Sequence, residues 1–117
     1  LVSADALPDA VFALNDMMAI GCLSAFAEAG IAVPGQVAVA GFDDIPIASY
    51  VSPGLTTIRV DIARLGGVAF EKLAGAFASP NMAPATAETL PPELIVRGSS
   101  GCRESDSSKR KKRGVKS

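Results

Sequence analysis

Apolar and polar positions fall along this chain in blocks whose period changes. After the turn signal Pro8-Asp9 comes the continuous apolar run Val11-Phe12-Ala13-Leu14, the pattern of a short buried strand. Asn15-Asp16 stops it. From Met17 to Ala29 the pattern is helical, with Ile20, Leu23, Ala27 and Met17 expected on the buried face. Asp16 is the expected N-cap, because a carboxylate accepts from the free amides of a first turn. Gly30 stands where a left-handed C-cap belongs. Pro34-Gly35 marks a turn, and Val37 to Phe42 predicts a second buried strand.

A strand, a helix and a strand within about 30 residues form a crossover unit whose two strands run parallel. An irregular segment follows through Asp43-Asp44, Pro46, Tyr50 and Pro53-Gly54. Leu55 to Val60, β-branched and alternating, predicts a third strand. Asp61 is a second expected N-cap, opening a helix from about Ile62 to Phe77 with Ile62, Leu65, Ala69, Leu73 and Phe77 at helical spacing. Residues 79–86 read as a loop, and Leu94-Ile95-Val96 as a last strand. The fold class is therefore α/β with a parallel sheet. Composition agrees: 49% of the residues are hydrophobic but only 5% aromatic, so small residues carry the core.

Charge divides the chain. The first 102 residues carry a net −6 and the segment from Arg103 onward a net +5. We read residues 1–100 as one domain and 101–117 as a basic, disordered tail. An acidic body is a poor surface for phosphate backbones. The run Lys109-Arg110-Lys111-Lys112-Arg113 fits a nucleic-acid arm, a targeting signal or a solvated tail. There is no histidine, and Cys22 and Cys102 lie far apart with no CxxC spacing. Histidine-based nucleophilic sites and zinc sites are thereby excluded, and no metal or cofactor is expected. Cys22 reads as a small core residue. No membrane span or secretory leader is visible, which favours a cytoplasmic protein. The lack of an initiator Met predicts a start inside a longer reading frame.

In open parallel sheets, ligands bind outside the carboxyl ends of the strands. Asn15-Asp16, Asp43-Asp44 and Asp61 fall there. Capping accounts for Asp16 and Asp61, and a solvated turn for Asp44. Asn15 and Asp43 follow strands without being obvious caps, which makes them the candidate ligand contacts. A carboxylate and an amide, with no base or nucleophile beside them, suit hydroxyl recognition. Neither a glycine-rich loop nor a lysine accompanies them for phosphate.

The string from Pro8 to Gly21, including Leu14-Asn15-Asp16, resembles the LacI/GalR family of transcriptional regulators. So do Gly30-Ile31-Ala32-Val33-Pro34, Val37 to Asp44, Pro53 to Ile58, Leu65-Gly66 and Leu94-Ile95-Val96-Arg97-Gly98-Ser99. Together, in family order, they cover about four-fifths of the chain. The resemblance implies the C-terminal part of a periplasmic-binding-protein-like (type I) effector-binding core. It implies effector contacts at Asn15, Asp43, Val60 and Leu65. Val60 is apolar where some sugar-responsive members carry a polar side chain. It further implies a homodimer interface at Ile20, Ile47, Tyr50, Val51 and Ser52. Operator DNA would be bound only through a helix-turn-helix headpiece absent from this chain. The expected ligand is a small polar effector of carbohydrate type, and no enzymatic activity is expected. A secreted sugar-binding protein of an uptake system shares this fold class, and half of a two-subdomain core could also be an inert fragment. An α/β enzyme holding Mg²⁺ at Asp43 and Asp44 is a third class, with no nucleophile or phosphate loop to support it.

Overall fold

The computed structural model describes residues 7–78 and 87–101. The basic run and the loop expected at residues 79–86 lie outside them. The chain forms two compact units. One runs up to Arg59 and resumes at Leu94; the other is Val60–Glu93.

The first unit is built on the expected crossover. Strand β1 (Ala10–Phe12), helix α1 (Asp16–Glu28) and strand β2 (Ala38–Phe42) follow in order. β1 and β2 pair in parallel, with Phe12 opposite Ala40. Strand β3 (Thr56–Arg59) pairs in parallel with the other side of β2, with Phe42 opposite Ile58. Strand β4 (Glu93–Ile95) takes the far edge, so the sheet order is β1-β2-β3-β4. The core holds Ala13, Ala19, Leu23, Phe26, Val37, Val39, Ala48 and Leu55. Most of these side chains are small, so helix and sheet can approach closely.

Four local expectations change. The apolar run at β1 is not a buried strand, because Phe12 and Leu14 are exposed and Ala13 alone of the run is buried. The buried face of α1 runs through Asp16, Ala19, Leu23 and Phe26, while Met17 and Ala27 are exposed. The reason is that Asp16 is drawn inward and sets the rotation of the helix. The N-cap is Asn15, whose Oδ1 accepts from the Met18 N–H at 2.9 Å. β3 does not alternate between buried and exposed residues. Thr56 and Thr57 are both buried, because each hydroxyl is used for bonding inside the protein.

The C-terminus of α1 ends as expected on Gly30, at φ 69°. The Gly30 N–H donates to Ala27 O and the Ile31 N–H to Phe26 O, the paired bonds of a Schellman motif. Gly41 is required for the contact between α1 and β2. A Cβ there would overlap the Asp16 carboxylate and lie 3.2 Å from both Asp16 Cα and Ala19 Cβ.

The second unit carries helix α2 (Ile62–Ala78). Asp61 caps it as expected, its Oδ1 accepting from the Arg64 N–H at 2.9 Å. Lys72 and Glu88 form an ion pair at 3.4 Å. Ile62, Leu65, Phe70, Leu73 and Phe77 are all exposed, so the apolar stripe of α2 is uncovered among the described residues.

Candidate functional site

Phe12 lies opposite Ala40 in the β1–β2 pairing, and Asn15 and Asp43 each lie three positions beyond these two residues. Equal offsets on neighbouring parallel strands, about 4.8 Å apart, place both at one end of the sheet. Asn15 is half-buried. Its cap bond to Met18 uses the amide oxygen, which leaves the amide nitrogen as the donor. The Asp43 side chain is exposed, and its backbone N–H donates to Ile58 O at 2.8 Å.

The backbone at this turn is unusual. Asp43 has φ 109° and Asp44 φ 52°. A positive φ in a residue with a Cβ costs of order 1–3 kcal/mol and persists only where surrounding contacts impose it. Those contacts centre on Asp44, whose side chain is 7% exposed. Its Oδ1 accepts from Arg97 Nη2 at 2.7 Å, and its Oδ2 from Arg59 Nε and Nη2, both at 2.7 Å. Asp44 is therefore not a solvated turn residue, because two guanidinium groups neutralise it inside the protein. Burial raises its carboxyl pKa, but the hydrogen bonds and charges of Arg97 and Arg59 outweigh that. The carboxyl titrates below its usual value of 3.8.

A second acid is drawn in from the other strand end. Asp16 is fully buried. Its carboxylate accepts from the Thr57 hydroxyl and, at 2.9 Å, from the Ile45 N–H. Thr57 Oγ1 in turn accepts from the Asp44 N–H at 3.4 Å. Each candidate contact is thus followed in sequence by an acid that is turned inward and tied to β3. The segment after β4 is knitted to β3 in a similar way. Ser99 Oγ accepts from the Thr56 N–H at 2.8 Å and donates to Val39 O at 2.6 Å. Arg97 donates from its N–H to Thr56 Oγ1 and from Nη1 to Leu55 O, both at 2.8 Å.

Not every expected site residue joins this group. Val60, half-buried, and Leu65, exposed, belong to the second unit. Of the expected dimer residues, Ile47, Tyr50 and Ser52 are exposed, Tyr50 to 85%. Ile20 and Val51 are half-buried and pack against the core. Cys22 is also half-buried against it. Both Asp44 oxygens are held by arginines, so the Asp43-Asp44 pair is not arranged to receive Mg²⁺. Among the described residues no three His, Cys, Asp or Glu side chains gather as a metal-ligand set.

Sequence reasoning missed the clamp formed by Asp44, Arg59 and Arg97, and the buried role of Asp16. The available signals were the Asn15-Asp16 and Asp43-Asp44 pairs at the strand ends and a lone arginine at the end of β3. Nothing in the sequence alone pairs residues 44 and 97.

Known proteins show the same architecture. The model of the periplasmic binding protein-like domain matches residues 1–100. The lactose operon repressor of Rhizobium radiobacter is 41% identical over 103 residues, covering 85% of this chain and 86% of that protein. A LacI-type transcription regulator from Bifidobacterium animalis superposes with a TM-score of 0.70 at 38% identity, over 79% of this chain and 32% of that one. A LacI family regulator from Enterococcus faecium, solved with bound ribose, superposes with a TM-score of 0.72 at 32% identity, over 82% and 35%. The chain spans 18–29% of the length of further curated relatives that it matches. The chain belongs to the periplasmic binding protein-like domain family, in the form found in the effector-binding domains of LacI/GalR-type transcriptional regulators.

Proposed function

We propose that this chain supplies effector-contacting strand ends of a LacI/GalR-type regulator, and that Asn15 and Asp43 bind a small polyhydroxylated ligand, a carbohydrate. One observation carries this reading. The exposed Asp43 carboxylate, which has no hydrogen-bond or ion-pair partner among the described residues, is presented on a strained backbone at φ 109°. Strain that the surroundings hold in place is a feature of ligand sites. A carboxylate accepts two hydroxyl hydrogen bonds, and the oriented Asn15 amide donates. The family match ends at residue 100, which supports treating residues 101–117 as a separate basic segment.

The regulatory logic is linkage. An effector that binds one conformation more tightly shifts its population, and operator affinity follows through a helix-turn-helix headpiece outside these residues. Ile20, Ile47, Tyr50, Val51 and Ser52 are the residues proposed to pair two subunits. A secreted binding protein would share the fold, but the similar proteins are repressors and regulators, which supports the regulator.

Calorimetry of the complete regulator against a panel of mono- and disaccharides tests the reading. Asp43→Ala is expected to weaken binding by about 1.5–3 kcal/mol, the range for hydrogen bonds to charged groups, without unfolding the protein. Asn15→Ser keeps a cap but removes the amide donor, and weakens binding without a large loss of stability. Unchanged affinity in both variants would remove these residues from the site.

A further inference from the structure

Asp43 and Asp44 are consecutive residues with side chains and positive φ, at 109° and 52°. Two bonds from backbone N–H groups hold the pair to β3, from the Asp43 N–H to Ile58 O at 2.8 Å and from the Asp44 N–H to Thr57 Oγ1 at 3.4 Å. Downstream, the Ile45 N–H is tied to the Asp16 carboxylate at 2.9 Å, and the charged bonds fall on the Asp44 side chain. Its carboxylate receives three charge-assisted hydrogen bonds of 2.7 Å from two arginines. These bonds are the strong, geometrically exacting kind that fixes a side chain. Arg97 is itself immobilised, because its Nη1 and its backbone N–H are bonded to Leu55 O and Thr56 Oγ1. The Asp44 side chain is therefore held by the two arginines while Asp43 stays exposed.

We propose that Asp44 is a positioning residue for effector binding: clamped between Arg59 and Arg97, it holds the Asp43 backbone in the conformation that presents the Asp43 carboxylate. This rests on Asp43 being an effector contact, as argued above. Arg97, 53 positions away in the chain, thereby sets affinity without touching ligand. The fork geometry is essential to this. A lysine keeps the charge but lacks the rigid two-nitrogen fork that bonds Leu55 O and Asp44, and an asparagine at position 44 would turn an amide donor toward a guanidinium.

Two measurements on the full chain decide it. The first needs no ligand. In the ¹⁵N-labelled protein, hydrogen exchange of the Asp43 amide and its HN–Hα scalar coupling report the local backbone. Asp44→Asn is expected to speed Asp43 exchange by ~10-fold or more, while the Val39 and Gly41 amides keep their protection. Arg97→Lys should act in the same direction. Arg59→Lys, at the more exposed arginine, should show a smaller effect. If Asp44→Asn does not fold, the two arginine variants decide by the same readout. Asp43 exchange and coupling unchanged in the folded variants would overturn the proposal.

The second measurement titrates D-ribose. Where the parent chain binds it and Asp43→Ala loses it, Asp44→Asn should lose at least ~10-fold, as the removal of a charged hydrogen-bond network predicts. Parental affinity in Asp44→Asn would also overturn the proposal. A parent chain that ignores D-ribose counts against that sugar as effector, and the exchange measurement then decides the positioning role.

Discussion

The Asp16 carboxylate is fully buried and is shared between the Thr57 hydroxyl and the Ile45 N–H. Truncating it leaves two inward-facing donors unpaired, whereas truncating its neighbour Asn15 removes one cap bond near the surface. Asp16→Ala should therefore destabilise by about 3 kcal/mol, and Asn15→Ala by about 1 kcal/mol. Urea denaturation of the two variants checks the order. Equal losses would mean that the buried tie contributes no more than a helix cap. From the chain alone Asp16 is the expected cap, although both residue types serve. The choice depends on Thr57 and the loop at Ile45, which are 41 and 29 residues away.

Between elements, the critical contact is α1 on β2, where Gly41 meets Asp16 and Ala19. Gly41→Ala should cost about 2 kcal/mol by overpacking, because backbone and a buried acid lie on the far side. Gly21→Ala is the matching control. A Cβ at Gly21 meets nothing within 4 Å, and in a helix interior the change should be neutral or stabilising by up to about 1 kcal/mol. A comparable loss in both variants would refute the close-approach argument. The Asp44 clamp joins the end of β2 to β3 and to the segment after β4, and it depends on pH. The folded carboxyl titrates below the ordinary 3.8. Its contribution is therefore fully present above that value and is lost as pH falls through the lower, folded value. Urea midpoints measured from pH 2 to 7 should fall on the acid side, and Asp44→Asn should flatten that limb. Parallel limbs in the two proteins would assign the acid sensitivity to other carboxylates.

At the scale of the whole molecule, the informative surface is apolar. The stripe of α2 and the residues Ile47 and Tyr50 are exposed in this chain. Exposed apolar patches of this kind mark places that partners cover. Tyr50, at 85% exposure, is the cleanest probe of the proposed subunit contact. Ile20 is a poorer one, since it packs against the core. Tyr50→Glu should leave the stability of this chain within about 0.5 kcal/mol, as surface substitutions do, and should weaken dimers of the complete regulator in sedimentation at low concentration. Undiminished dimers would place the interface elsewhere. No helix among the described residues is long and apolar enough to cross a membrane.

The element order, the crossover unit, the Asp61 cap and the Gly30 terminus were legible in the sequence because each follows from preferences acting over a few residues. Apolar period, turn residues and cap chemistry are local, and the family strings are ordered combinations of them. The positions of Asn15 and Asp43 at strand ends were legible for the same reason: once two strands are parallel, their carboxyl ends lie together. Tertiary structure alone decided the rest. It turned α1 so that Asp16 rather than Ala27 is buried, took Asp44 out of solvent, and made Arg97 its partner. Those outcomes depend on contacts between residues 29 to 53 positions apart. Packing at close range must give every buried charge a partner, and no local pattern says which distant residue will be there.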